Sequence, residues 1–291
     1  MTQTIQKYLN DSFVARWAAL ILIALAMFFA YMFVDVMSPL QSLVESTREW
    51  NSSVFGTYAA SEYILNVCGF LILAGIILDK MGVRFTGILS TSLMVVGAAI
   101  KYVGITEWFQ GTDFCIWLNS WWVALPGSAK MASLGFMIFG CGCEMAGITV
   151  SKAIAKWFEG KEMALAMGLQ LAIARFGTAT AILIAPMIVK QKALGEMYTL
   201  AETNRPALIG LAVLAVGAVL WAVFVAMDAR FDKETGETDK VETAEEDKFR
   251  ISDIWKVLSN PRFLMIALLC VTFYCCVIRF KKFGVWILLP L

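Results

Sequence analysis

The chain has 291 residues, of which 59% are hydrophobic and only 16% charged, with a mean hydropathy of +0.72. An ordinary soluble domain carries about 45–50% apolar and about 25% charged residues, so this excess exceeds what one water-soluble core hides and marks a polytopic membrane protein. The 24 Lys and Arg against 23 Asp and Glu leave a net charge of +1, which excludes a nucleic-acid binder built on a basic surface, and the lack of any histidine removes Ser-His and Cys-His nucleophile pairs, histidine bases and histidine-held metals.

Apolar runs of the length a bilayer requires, about 20 residues, fall at roughly 14–36, 54–78, 84–105, 131–152, 163–189, 207–227 and 262–280. The expected class is therefore an all-α, polytopic membrane protein with seven spans. In the first span Tyr31 and Asp35 lie one helical turn apart, either lining an aqueous path or sitting at the interface. In the second, Tyr58, Glu62 and Asn66 recur at i, i+4 and i+8, a polar stripe on one helix face. Between the third and fourth spans, the 12 residues from Phe114 to Leu125 are too few to cross and read as an interfacial or re-entrant piece. Trp108, Trp117, Trp121 and Trp122 suit the headgroup level there.

Two ionisable residues stand at membrane depth, where burial costs about 2.5–3.5 kcal/mol even on the mildest scale. Glu144 lies near the middle of span four and Arg175 near the middle of span five. They can face each other as an internal salt bridge, which is often net neutral in energy. Placed apart, they suit a zwitterion, with Arg175 taking a carboxylate bidentately and Glu144 an ammonium. The surrounding Gly140-Cys-Gly142-Cys-Glu144-Met-Ala-Gly147 is a small-residue face that tight helix packing alone explains. Glu144, Glu62 and Asp35 are also the candidates to carry a coupled proton, and the same residues serve a uniporter equally well.

After span six, residues 228–248 are rich in Asp and Glu and hold no aromatic beyond Phe231, the composition of a solvated linker. Phe249, Ile251, Ile254, Trp255 and Leu258 then recur at near-helical spacing, predicting a short amphipathic helix on the membrane face. The expected organisation is a six-helix bundle over 1–227, a charged linker over 228–260, and a seventh helix with its tail over 261–291. Of the cysteines, Cys68, Cys141, Cys143, Cys270, Cys275 and Cys276 lie in apolar runs and Cys115 in a connection, and they read as small apolar packers. With the N-terminus inside, fourteen Lys and Arg fall on the inner side against six outside, with Arg279, Lys281 and Lys282 at the tail, a bias that predicts a cytoplasmic N-terminus.

The turn between spans two and three, Gly75-Ile-Ile-Leu-Asp79-Lys80-Met-Gly82-Val-Arg84, matches the loop signature of the major facilitator superfamily. Gly75 is expected to permit close helix approach and Gly82 a tight reversal. Asp79 is an anion for a helix N-terminus or Arg84 to satisfy. The stretch from Phe139 through Glu144, the Lys156-Trp-Phe-Glu-Gly-Lys-Glu162 loop, and Gly168 to Arg175 and Gly177 resemble the branch of that family holding the lysosomal dipeptide transporters and their bacterial relatives. Tyr31 to Asp35 with Leu40 and Gln41, and Phe273-Tyr274 through Phe280 to Phe283, are similar as well; Arg279 departs from that pattern.

The resemblance implies the N-terminal six-helix half of a major facilitator fold plus a seventh helix. It also implies transport of dipeptides or similar zwitterions by alternating access, with Glu144 and Arg175 reading the peptide termini and Gly75, Asp79, Lys80, Gly82 and Arg84 forming the gating motif. Such carriers need two six-helix halves rocking about a midplane site, so the chain is expected to be a fragment that works with a missing C-terminal half or an accessory subunit. Its expected partners are a small-molecule solute and the lipid bilayer, with no nucleic acid, metal or cofactor and no catalytic residue. The alternatives are an organic-anion or sugar-phosphate carrier using Arg175 alone, and a non-transporting truncated paralogue. A bacterial inner membrane and a lysosomal-type membrane both fit.

Overall fold

The computed structural model describes residues 9–48, 50–189, 198–235 and 259–288, the last eleven of these by backbone alone. Every regular element among them is helical: α1 (Phe13–Asp35), α2 (Gln41–Arg48), α3 (Ser52–Leu65), α4 (Leu71–Gly104), α5 (Glu107–Gln110), α6 (Asp113–Ser120), α7 (Gly127–Trp157), α8 (Met163–Ile188), α9 (Leu200–Thr235) and α10 (Pro261–Leu288). The starts follow from side chains that satisfy orphan N–H groups. Ser12 accepts from the Ala15 amide at the head of α1, and Asn51 from Val54 at the head of α3. Thr106 and Thr112 cap the two short helices α5 and α6 in the same way.

Among the described residues, five stretches are long and apolar enough to cross a membrane: Phe13–Arg48, Ser52–Gly104, Gly127–Trp157, Met163–Ile188 and Leu200–Thr235. The second has 53 residues, which at 1.5 Å each would be about 80 Å, far beyond one bilayer. It is two spans joined back to back. Gly82, at φ 78° and ψ 177°, adopts a backbone closed to L side chains and reverses the chain. Contacts along α7 give the direction: Tyr58 stacks on Phe136 and Glu62 abuts Gly140, so α3 runs parallel to α7, whereas Ser90 and Met94 abut Gly142 and Lys101 abuts Gly135, so the chain returns antiparallel to it. A further interruption at Asn66–Phe70, a π-helical turn with Gly69 at φ 106°, breaks the descending span. The polar stripe of Tyr58, Glu62 and Asn66 therefore runs straight only as far as Glu62.

Six spans thus form one compact unit, Met1–Lys240. In it α4 packs on α7 and α9, α1 on α8 and α9, and α3 on α7. Small residues set the closest approaches, as they do where lipid supplies no hydrophobic drive between helices. A Cβ on Gly97 or Gly135 would collide with the backbone of the facing helix, and one on Gly177 with the Phe28 carbonyl. Gly75 differs from expectation, since a Cβ there would meet nothing within 4 Å. Trp157, Trp221, Phe33, Phe136 and Phe139 fill the space left between.

At one end of the bundle α9 continues past the boundary expected at 227, to Thr235, with Asp228 and Asp232 buried rather than solvated. The remainder of the expected linker and the amphipathic helix over 249–258 lie outside the described residues. Residues Val241–Leu291 form a separate unit, whose helix α10 opens on Asn260 accepting from the Arg262 amide at 3.0 Å. The segment between spans three and four is the two short helices α5 and α6, with Trp108, Trp117, Trp121 and Trp122 all exposed.

Candidate substrate site and gating motif

Four of the five residues singled out for substrate converge inside the six-span unit. Tyr31 comes from α1, Glu62 from α3, Glu144 from α7 and Arg175 from α8. The Arg175 guanidinium carbon lies 5.0 Å from the centroid of the Tyr31 ring, a cation–π distance. Glu144 lies within electrostatic reach of Glu62 and Arg175, and Tyr31 within reach of Arg175, Glu144 and Glu62. Glu144 and Tyr31 are half-buried and Arg175 is exposed, while Glu62 is buried. No salt bridge within 4 Å joins Glu144 to Arg175. The two charges lie within electrostatic reach of each other without a contact ion pair between them. The glycines beside Glu144 are spent on packing: Gly140 lets the Glu62 backbone approach, and Gly142 that of Ser90.

Asp35 belongs to a second, drier group. It is 0% exposed, so it sits in the packed core and not at the interface or on an open cavity wall. The Tyr58 ring lies within electrostatic reach of Glu62, Arg48 and Asp35 and 5.3 Å from the Lys101 ammonium. Lys101 is itself 0% exposed, lodged 4.1 Å from the Phe136 ring and 4.4 Å from the Phe33 ring. Lys101, near the end of the third expected span, is one of the six Lys and Arg counted as outer in the charge bias; the structure places it in the core. Glu62 lies within electrostatic reach of both groups.

The end of the bundle that carries Gly82 holds a network of ions. Asp79 pairs with Lys152 at 2.8 Å, not with Arg84 or a helix N-terminus as expected. Arg84 reaches instead to α9, to Asp232 at 3.2 Å and Asp228 at 3.9 Å. Lys156 joins the same carboxylates at 2.6 Å and 2.9 Å, and the Trp157 indole donates to Asp228 at 2.8 Å. Lys80 is exposed. At the same end Arg16 pairs with Glu162 and Lys161 with Asp11, tying the start of α1 to the α7–α8 turn. The opposite end is held by neutral and charge-assisted bonds: Arg48 donates to Asn204, Asn204 donates to the Ile105 carbonyl at 2.8 Å, and the Trp50 indole to Ser128 at 3.1 Å.

Antiparallel helices of membrane length, closed by glycine faces and holding charged side chains between them, define an all-α polytopic membrane protein. Residues 20–291 match the Major Facilitator Superfamily, and the chain belongs to that family. It is similar to the lysosomal dipeptide transporter MFSD1 of Pongo abelii, 26% identical over 294 residues covering 93% of this chain and 53% of the relative. The human protein of the same name is 26% identical over 290 residues, 92% of this chain and 53% of its own. A shorter likeness, 27% identical over 143 residues, joins 48% of this chain to 23% of the thiol:disulfide interchange protein DsbD of Neisseria meningitidis serogroup B. The chain spans about half the length of the dipeptide transporters it matches.

Proposed function

We propose that the chain supplies one half of a carrier that moves small solutes across a membrane by alternating access, and that the solutes are dipeptides or similar zwitterions. The observation that carries this reading is the gathering of Arg175, Tyr31, Glu144 and Glu62 from four different helices without a contact ion pair between the two central charges. A guanidinium offers a carboxylate two parallel N–H donors, and a face of Tyr31 holds it in place with about 0.5–2 kcal/mol. Glu144, with Glu62 behind it, supplies the opposite pole for an ammonium. A free dipeptide carries those two groups at its two ends. The names of the relatives point to the same substrate class.

The exposure of Arg175 on α8 fits a cavity completed from elsewhere, by a C-terminal half or an accessory subunit. The Lys and Arg bias puts the Asp79 end on the cytoplasmic side of a bacterial inner membrane or a lysosomal-type membrane. Glu62 and Glu144 are the groups proposed to take a proton where transport is proton-coupled.

The test is ligand-induced stabilisation of the purified chain in nanodiscs. A bound ligand at a hundred times its Kd adds about 2.7 kcal/mol to stability. Dialanine is expected to raise the Tm of the wild-type chain and to leave that of Arg175→Ala unmoved, with basal Tm and membrane insertion unchanged. Equal stabilisation of both contradicts the role of Arg175.

A further inference from the structure

We infer that the cleft between α3, α6 and α7 is a phospholipid site in the leaflet at the Trp50 end of the bundle, with the lipid phosphate at Lys130 and an acyl-ester carbonyl at Ser133. The inference rests on the membrane placement of the chain and stands apart from the substrate reading. The cleft encloses about 300 Å³, at the lower end of small-ligand cavities. Its walls are apolar, with Ile64, Phe114, Leu118, Leu134 and Met137 prominent, and Lys130 is the one ionisable residue among those lining it. The charge presented to an occupant is therefore positive, with no carboxylate among the described wall residues to cancel it.

Two polar groups in this wall have unspent capacity. Ser133 is 7% exposed, and its hydroxyl has no hydrogen-bond partner among the described residues. Other hydroxyls of the bundle, such as Thr149, Thr86 and Ser151, donate back to the carbonyl four residues earlier; Ser133 does not. A buried hydroxyl without a partner is costly in a bilayer, where no water replaces it, and what it lacks is an acceptor. The Lys130 ammonium donates to the Leu118 and Trp121 carbonyls at the end of α6 and lies 4.5 Å from the Trp121 ring. An ammonium has three donors, so one remains for an anionic oxygen.

The order of these groups is that of a phospholipid. Lys130 lies in the first turn of α7, Ser133 about 4.5 Å further along the helix at 1.5 Å per residue, and Met137 about 6 Å beyond that. Phosphate, ester carbonyl and acyl chain meet them in turn. Trp121 and Trp122, both exposed, border the mouth where indoles favour the headgroup level.

The test is native mass spectrometry of the whole chain, delipidated in detergent and titrated with dioleoylphosphatidylcholine or with dioleoylglycerol, which has the same tails and no phosphate. One phospholipid is expected to be retained per chain, with dioleoylglycerol binding at least tenfold more weakly. Ser133→Phe, which fills the cleft, is expected to lower phospholipid retention at least tenfold, and the smaller Ser133→Ala about threefold. Equal retention of the two lipids overturns the inference. So does unchanged phospholipid retention in whichever Ser133 variant folds, the result expected where a second protein segment occupies the cleft.

Discussion

At the scale of the residue, the informative side chains are the charges that the bundle keeps away from lipid. Lys101 is the sharpest case, fully buried among Phe33, Tyr58 and Phe136 in the region that also holds Asp35 and Glu62. Breaking one side of such a buried charge set costs about 3–5 kcal/mol, because the carboxylates lose their compensation. Lys101→Met is expected to lower the thermal stability of the detergent-solubilised chain by that order. Lys101→Met combined with Asp35→Asn is expected to recover more than half the loss; a stable single variant contradicts this role. Hydropathy alone did not reveal Lys101, since a lysine near the end of an apolar run reads as a loop residue. Its cage is assembled from α1, α3 and α7, residues distant in sequence. Glu144 and Arg175 were legible for the converse reason, being charges in the middle of apolar runs whose cost the residue types alone declare.

At the scale of the element, the helix ends are where sequence and structure part. Residues from Asp228 onward have the composition of a linker, yet α9 runs on to Thr235. The signal was present in periodicity rather than composition: Trp221, Phe224, Asp228 and Phe231, all buried, recur at intervals of three and four. Charge masked a stripe that the helix continues to bury, because Arg84, Lys156 and Trp157 meet its carboxylates. The turn itself, by contrast, was readable from Gly82, whose conformation only glycine adopts readily. This cluster joins α4, α7 and α9, whereas Asp79 is 64% exposed and pairs with Lys152. Asp228→Asn is therefore expected to destabilise the chain by about 3 kcal/mol or more, and Asp79→Asn by less than about 1 kcal/mol. Chemical denaturation in a defined detergent checks both, and equal effects would show that the α9 extension does not hold this end together.

At the scale of the molecule, six spans close into one unit around two linked groups of charge, one dry and one open. Glu62 belongs to both, so the state of the open group bears on the packing of α3 against α7, where Glu62 meets Gly140 at the backbone. The resemblance of the α7–α8 stretch to dipeptide carriers was legible as sequence pattern. The convergence of four helices on one space was not, because depth along a helix is encoded locally and the rotation of each helix about its axis is set by its neighbours. The family match runs over residues 20–291, and the chain spans about half the length of the dipeptide transporters it is similar to.

The central claim is that Arg175 and Glu144 read the two ends of a zwitterion, and end-blocked peptides test it most directly. Thermal stabilisation of the chain in nanodiscs is compared for dialanine, N-acetyl-dialanine and dialanine amide. The account predicts that each block abolishes most of the stabilisation, that Glu144→Gln no longer discriminates against the acetylated peptide, and that Arg175→Ala no longer discriminates against the amide. Stabilisation by the acetylated peptide equal to that by dialanine in the wild-type chain would contradict the account for Glu144, and the same result with the amide would contradict it for Arg175.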